Sequence, residues 1–102
     1  MKLSKYDYIV VGAGSAGCAL AARLSEGPTV KVLLLEAGRR SSSFFVYKPA
    51  GMSVLYTSPK HNWQFWTEPQ TELNNRKIYI PRGKVVGGSS AINSMIAIRG
   101  NP

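Results

Sequence analysis

Apolar and β-branched residues run unbroken from Tyr8 to Val11, stop at a glycine, and give way to Ala16, Ala19, Leu20, Arg23 and Leu24 at helical spacing. The first run predicts a strand buried on both faces, and the second a helix from about Ser15 to Ser25. Gly27-Pro28 ends that helix, and Val30 to Leu35 reads as a second strand, parallel to the first and reached by a right-handed crossover. Beyond this βαβ unit the periodicity fades. Gly38 to Ser43 is a polar turn, Phe44 to Thr57 a loop with one short helix, and Ser58 to Asn75 a stretch of turn formers carrying Trp63, Phe65 and Trp66 as apolar mass. Alternation at Lys77 to Ile80 and at Met95 to Ile98 predicts two further strands. The fold class is therefore α/β, with a Rossmann-type core and residues after Ser41 wrapping as an irregular extension.

The turn between the first strand and the helix carries the first candidate chemistry. Gly12, Gly14 and Gly17 are spaced G-x-G-x-x-G. Gly12 lets the chain leave the strand sharply, Gly14 lets a pyrophosphate approach bare backbone, and Gly17 lets the helix lie close to the strand. The amides at the helix start, Ser15 and Ala16 among them, then face the anion with the helix dipole behind them. Glu36 stands nineteen residues after Gly17, at the end of the second strand, where a carboxylate accepts hydrogen bonds from the ribose hydroxyls of an adenosine. A carboxylate there repels a 2′-phosphate, which favours FAD or another unphosphorylated adenosine over NADP. On these residues alone a flavin and a nicotinamide dinucleotide both remain open, as does a plain glycine turn in another α/β protein.

Composition excludes several classes. At 102 residues and 44% hydrophobic content, the chain is at most one small globular domain, and no apolar run is long enough to cross a bilayer. Lys2 and Lys5 precede an apolar segment, but Asp7 and the early glycines cut it too short for a secretory leader, and a cytoplasmic location is expected. Cys18 is the single cysteine, so it forms no internal disulfide and reads as a buried helix residue. The net charge of +8 invites a nucleic-acid partner. The basic residues are scattered, however, with no basic helix and no aromatic-interleaved stripe, so no nucleic acid is expected and a phosphate-bearing cofactor accounts for the charge better. Cys18 and His61 are isolated, and Asp7, Glu26, Glu36, Glu68 and Glu72 form no ligand-spaced cluster, so no metal site is expected. Ser89 and Ser90 have no histidine near them in sequence, so they read as small polar groups against a cofactor rather than nucleophiles. His61 reads as solvated or structural.

A second glycine-rich element, Arg82 to Asn93, sharpens the assignment. Its four small residues Gly87-Gly88-Ser89-Ser90 let backbone amides and hydroxyls crowd a flat ring or a phosphate. Together with the first motif, Leu35-Glu36-Ala37-Gly38, Trp63 with Thr67-Glu68-Pro69-Gln70, Pro81-Arg82-Gly83-Lys84 and Arg99-Gly100-Asn101-Pro102, it resembles the glucose-methanol-choline (GMC) oxidoreductase family over essentially the whole chain, in its choline dehydrogenase-like branch. The resemblance implies FAD as cofactor and hydride transfer from a primary alcohol to the flavin. It implies a cofactor-binding set of Gly12, Gly14, Ser15, Ala16, Gly17, Glu36, Ala37, Arg82, Gly83, Val86, Gly87, Gly88, Ser89, Asn93, Ser94 and Met95. Within that set Gly87, Gly88 and Ser89 would line the path from pyrophosphate to isoalloxazine, Asn93 would bond near the diphosphate or flavin, and Ser94 and Met95 would lie beside the reactive ring edge. Arg82 or Lys84 would add positive charge to the region.

Some relatives place a flavin-tethering histidine just before the asparagine; Ile92 occupies that position here, so non-covalent FAD is expected. Relatives also continue for several hundred residues that supply a substrate domain and a catalytic histidine. The chain is therefore expected to be the N-terminal part of an FAD-binding domain, with no catalytic residue of its own. Residues 1 to 102 alone are expected to leave Val32, Leu34 and the flanking valines and isoleucines uncovered, to bind FAD weakly or not at all, and to oxidise no alcohol. A flavin-containing lyase or another non-redox relative, and a nicotinamide-binding domain, stand as the alternatives.

Overall fold

The computed structural model describes residues 5–40 and 42–101; Lys2, Ser41 and Pro102, which enter the sequence reading, lie outside them. It opens with β1 (Tyr8–Val11), α1 (Ser15–Leu24) and β2 (Val32–Leu35), the βαβ unit that the hydrophobic pattern predicts. The two strands are parallel, in the register Tyr8 to Val32 through Val11 to Leu35. β2 starts two residues later than the apolar run does. The Val30 amide is held in a turn by the Gly27 carbonyl, and the Lys31 amide donates to the Asp7 carboxylate, so neither joins the ladder as strand backbone.

The strands are not buried on both faces. Val10 is buried, whereas Ile9, Val11, Leu34 and Leu35 are exposed and α1 buries none of its residues. Two strands and one helix cannot enclose a parallel sheet, so its apolar side chains stand open to further elements.

The core lies elsewhere. After β2 the chain makes 3-10 turns at Phe44–Tyr47 and Pro49–Gly51 and the short helix α2 (Met52–Leu55). Leu55 from α2 meets Val85 and Ile92 from the second glycine element, with Val46, Tyr56 and Ala91 around them. The two-residue strands β3 (Phe65–Trp66) and β4 (Tyr79–Ile80) pair antiparallel. β4 is shorter than the Lys77 to Ile80 alternation predicts, because the Ile78 amide is taken by the Thr67 hydroxyl and Pro81 has no N–H to donate.

Met95 to Ile98 is not a strand. The Asn93 side chain accepts the Met95 amide, Met95 takes a left-handed conformation at φ +54°, and Ile96 and Ile98 stand exposed with no partner strand. Alternation marks a strand only where one face has something to cover it.

Gly17 is the close approach that holds α1 against the strand turn. A Cβ there would fall far inside van der Waals contact with the Gly12 carbonyl oxygen, a backbone atom fixed by β1. Alanine in a helix interior ordinarily gains about 1 kcal/mol over glycine. The overlap reverses the sign: Gly17→Ala is expected to cost a net 1–2 kcal/mol or so. Thermal unfolding of the full-length protein checks this, and a raised Tm would refute the close packing.

Candidate functional site

The two glycine elements meet. Gly12 leaves β1 at φ +96°, and its amide donates to the Leu35 carbonyl at 2.7 Å, so the turn is tied to the end of β2. Gly14 caps α1 and bridges to Gly87 in parallel fashion. The Gly87 amide donates to the Ala13 carbonyl at 2.7 Å. Gly88 follows at φ +60°, so close that a Cβ on it would stand 2.8 Å from the Gly14 Cα. A side chain at Gly88 would be both strained and in collision, which explains why this loop is built from the smallest residues.

Between the elements lies an open cleft of about 660 Å³. Gly12 and Gly14 of the first element, Glu36 and Ala37 after β2, and Arg82, Gly83, Gly88 and Ser89 of the second element line it. Val11, Leu35, Trp63 and Phe65 complete the lining with apolar surface. The two rings stack at 5.9 Å and nearly parallel, and Lys84 Nζ sits 4.6 Å from the Trp63 ring.

Two features suit an anion at the glycine end. No side chain caps α1 and no acidic residue occupies its first turn, so the amides there keep their donors. The helix dipole adds to the attraction.

Glu36 is half engaged. One carboxylate oxygen accepts the Ala13 amide at 2.7 Å and the other the Gly38 amide at 2.8 Å. These charge-assisted bonds fix the carboxylate at the cleft wall, and each oxygen keeps a further lone pair for a hydroxyl donor. Its place at the end of β2 follows from the strand register, Val11 opposite Leu35, which delivers residue 36 beside the glycine turn.

The other predicted site residues fall in three groups. Ser15, Ala16 and Gly17 start α1 next to Gly14, and Val86 and Gly87 lead into Gly88 without lining the cleft themselves. Asn93, Ser94 and Met95 lie away from the cleft lining: Asn93 bonds its own loop at the Met95 amide, and Ser94 meets the Tyr56 hydroxyl at 3.2 Å. Ile92 is buried in the core rather than turned to the cleft. His61 is half-buried, pairs through Nδ1 with the Ser58 hydroxyl at 3.0 Å, and does not line the cleft.

Two contributors are not legible as site residues from the sequence. Trp63 and Phe65 read there only as apolar mass, yet they form the aromatic wall. No spacing in the sequence signals this: Gln64 between them takes a left-handed conformation at φ +56°, with its amide held by the Asn62 side chain, and strand alternation does not run through it. Asn62, between them and the loop, is almost fully buried and uses both ends of its amide. Its Nδ2 donates to the Tyr56 carbonyl and the Tyr79 hydroxyl, and its Oδ1 accepts the Gln64 and Arg82 amides. This side chain therefore sets where Arg82 and Gly83 enter the cleft.

Comparison with known proteins agrees with this geometry. The family model described as GMC oxidoreductase matches residues 6–102. An alcohol dehydrogenase [acceptor] of Pseudomonas putida is 55% identical over 96 residues, which are 94% of this chain and 17% of that protein. An oxygen-dependent choline dehydrogenase of Vibrio vulnificus is 53% identical over the same shares. Among solved structures, pyridoxine 4-oxidase from Mesorbium loti superposes with a TM-score of 0.86 at 40% identity, covering 96% of this chain and 19% of that one. The chain thus spans about 17% of the length of the curated relatives it matches. The βαβ start, the second glycine element and the match over residues 6–102 together place this chain in the GMC oxidoreductase family, as part of its Rossmann-type FAD-binding fold.

Proposed function

We propose that residues 1–102 form the N-terminal part of an FAD-binding domain in a flavin-dependent oxidoreductase that oxidises a primary alcohol. One observation carries the reading: two glycine-rich elements 70 or so residues apart close on one cleft, with a helix N-terminus at one end and a fixed carboxylate on its wall. The family and its structural neighbours support FAD as the cofactor. A nicotinamide domain gives no reason for the second element, and nothing in the cleft favours lyase chemistry.

The residues present fit the cofactor. Gly12 and Gly14 leave the glycine end of the cleft free of side chains, and the first-turn amides of α1 would receive the diphosphate. Glu36 would accept the ribose hydroxyls while the Ala13 and Gly38 amides hold it in orientation. Arg82 at the rim would add a positive charge, and Gly88 and Ser89 would border the way toward the ring. Bound there, FAD supplies the hydride-accepting ring. Asn93, Ser94 and Met95, on the loop that follows, would stand toward the ring end of the cofactor.

We assign the substrate domain and the alcohol-deprotonating base to other parts of the protein. The uncovered faces of β1 and β2 support this, since further strands would bury Ile9, Val11, Leu34 and Leu35. His61, turned to Ser58, is not placed to act as that base. The choline dehydrogenase and alcohol dehydrogenase relatives make a small primary alcohol the natural substrate class.

Glu36→Ala in the full-length protein is expected to weaken FAD retention by about 1–3 kcal/mol, the loss of charge-assisted hydrogen bonds to the ribose. Flavin content after dialysis measures it, and unchanged retention would reduce Glu36 to a strap for the glycine turn. Acid denaturation provides a second check. Because Ile92 offers no nucleophile and is buried, all flavin is expected in the supernatant; colour remaining with the precipitate would mean a covalent link.

A further inference from the structure

A second cavity, of about 450 Å³, shares no lining residue with the cofactor cleft. It is walled by Arg39, Arg40, Lys60 and Lys84, with Ser42, Ser43 and His61 between them. Among the described residues, no acidic one lines it. Three separate segments supply these groups, and backbone contacts hold them together. Arg39 bridges to Val85, and the Lys84 amide donates to the His61 carbonyl at 2.8 Å. Asn62 bridges to Gly83 one step further along. The cations therefore converge because the second glycine element is stitched between the loop after β2 and the turn before β3.

Convergence of like charge is unfavourable unless something offsets it. The described carboxylates do not: the ion pair among the described residues is Arg23 with Glu26, far along α1, and none of the four cations joins one. Lys84 is half-buried and rests its ammonium over the Trp63 ring, which draws it partly toward the cofactor side. Arg39 and Arg40 are exposed and bring forked donors, and Ser42 and Ser43 add hydroxyls near them.

We propose that this cavity is a binding site for a polyphosphate group, separate from the site of the flavin diphosphate. Its guanidinium and ammonium donors match several phosphate oxygens at once, and its volume exceeds what a single phosphate needs. Its connection to the cofactor cleft runs through Lys84 and Trp63, so an anion that draws Lys84 outward would loosen its contact with the aromatic wall.

Inorganic pyrophosphate is the probe, titrated calorimetrically at low ionic strength into the full-length protein, once as FAD-free protein and once loaded with FAD. With FAD loaded, saturable one-to-one binding is expected, and the FAD-free protein should add a second site at the glycine turn; the variants are compared in the loaded state, where only the basic cavity is open to the probe. Arg40→Ala combined with Lys60→Ala should weaken it about tenfold or more, through loss of charge-assisted contacts. Arg76→Ala with Lys77→Ala removes the same charge outside the cavity and should leave affinity within about twofold. Lys60→Glu, a change on an exposed turn, should abolish measurable binding. Flavin content, recorded in the same samples, reports separately on the cofactor cleft and on folding. ADP binding like pyrophosphate would assign a free polyphosphate as the ligand, and tighter ADP binding a nucleotide. The proposal is overturned by any of three results: no saturable binding, equal loss in the Arg76 and Lys77 control, or binding that vanishes once FAD is loaded.

Discussion

Everything the candidate site does depends on how closely two backbone segments approach. Gly14 and Gly87 pair, the Gly87 amide reaches the Ala13 carbonyl, and Gly88 lies against Gly14 with no room for a Cβ. Ala13 is the pivot. Its carbonyl accepts Gly87 and its amide donates to Glu36, so a single residue links the glycine turn, the second element and the carboxylate. Because the two bonds share Ala13, a displacement at either one is felt at the other.

The second element is in turn held from behind. Val85 and Ile92 are buried against Leu55, which sets the depth of the loop that carries Gly87 to Ser89. Asn62 sets its direction. Four hydrogen bonds satisfy this buried amide, and leaving such groups unpaired costs about 1–3 kcal/mol each, so the side chain binds α2, β4 and the Arg82 backbone into one unit. The segment's own core thus lies beneath the cofactor loop rather than beneath the parallel sheet. This division makes physical sense, because the sheet faces need partners that the βαβ unit does not contain, while the loop must be rigid to present bare backbone.

The sequence is most readable where local pattern and tertiary role coincide. Tyr8 to Val11, the helix from Ser15 and the strand ending at Leu35 combine apolar runs with glycine punctuation, and each forms as expected. Glu36 is legible because strand register alone delivers it to the glycine turn. Legibility fails where the outcome rests on what covers a segment. The alternation at Met95 to Ile98 finds no neighbouring strand, so the Asn93 turn prevails. Tyr8 to Val11 looks doubly buried because its composition suits a complete parallel sheet, of which two strands lie among the described residues. Trp63, Phe65 and Asn62 were beyond pattern reading for another reason. Their roles come from hydrogen bonds and stacking between loops, which leave no period in the chain.

The central claim is that the two glycine elements form one cofactor cleft by direct backbone contact. Its most direct test is the Gly88→Ala variant of the full-length protein, assayed for bound flavin and for hydrogen exchange at the Ala13 and Gly87 amides. A methyl at that position meets the Gly14 Cα and is strained at φ +60°. The account predicts that flavin retention falls and that both amides lose protection together, while the Thr67 amide, bonded to the Ile78 carbonyl beside β3 and β4, stays protected. Full flavin content with unchanged protection at Ala13 and Gly87 would contradict it.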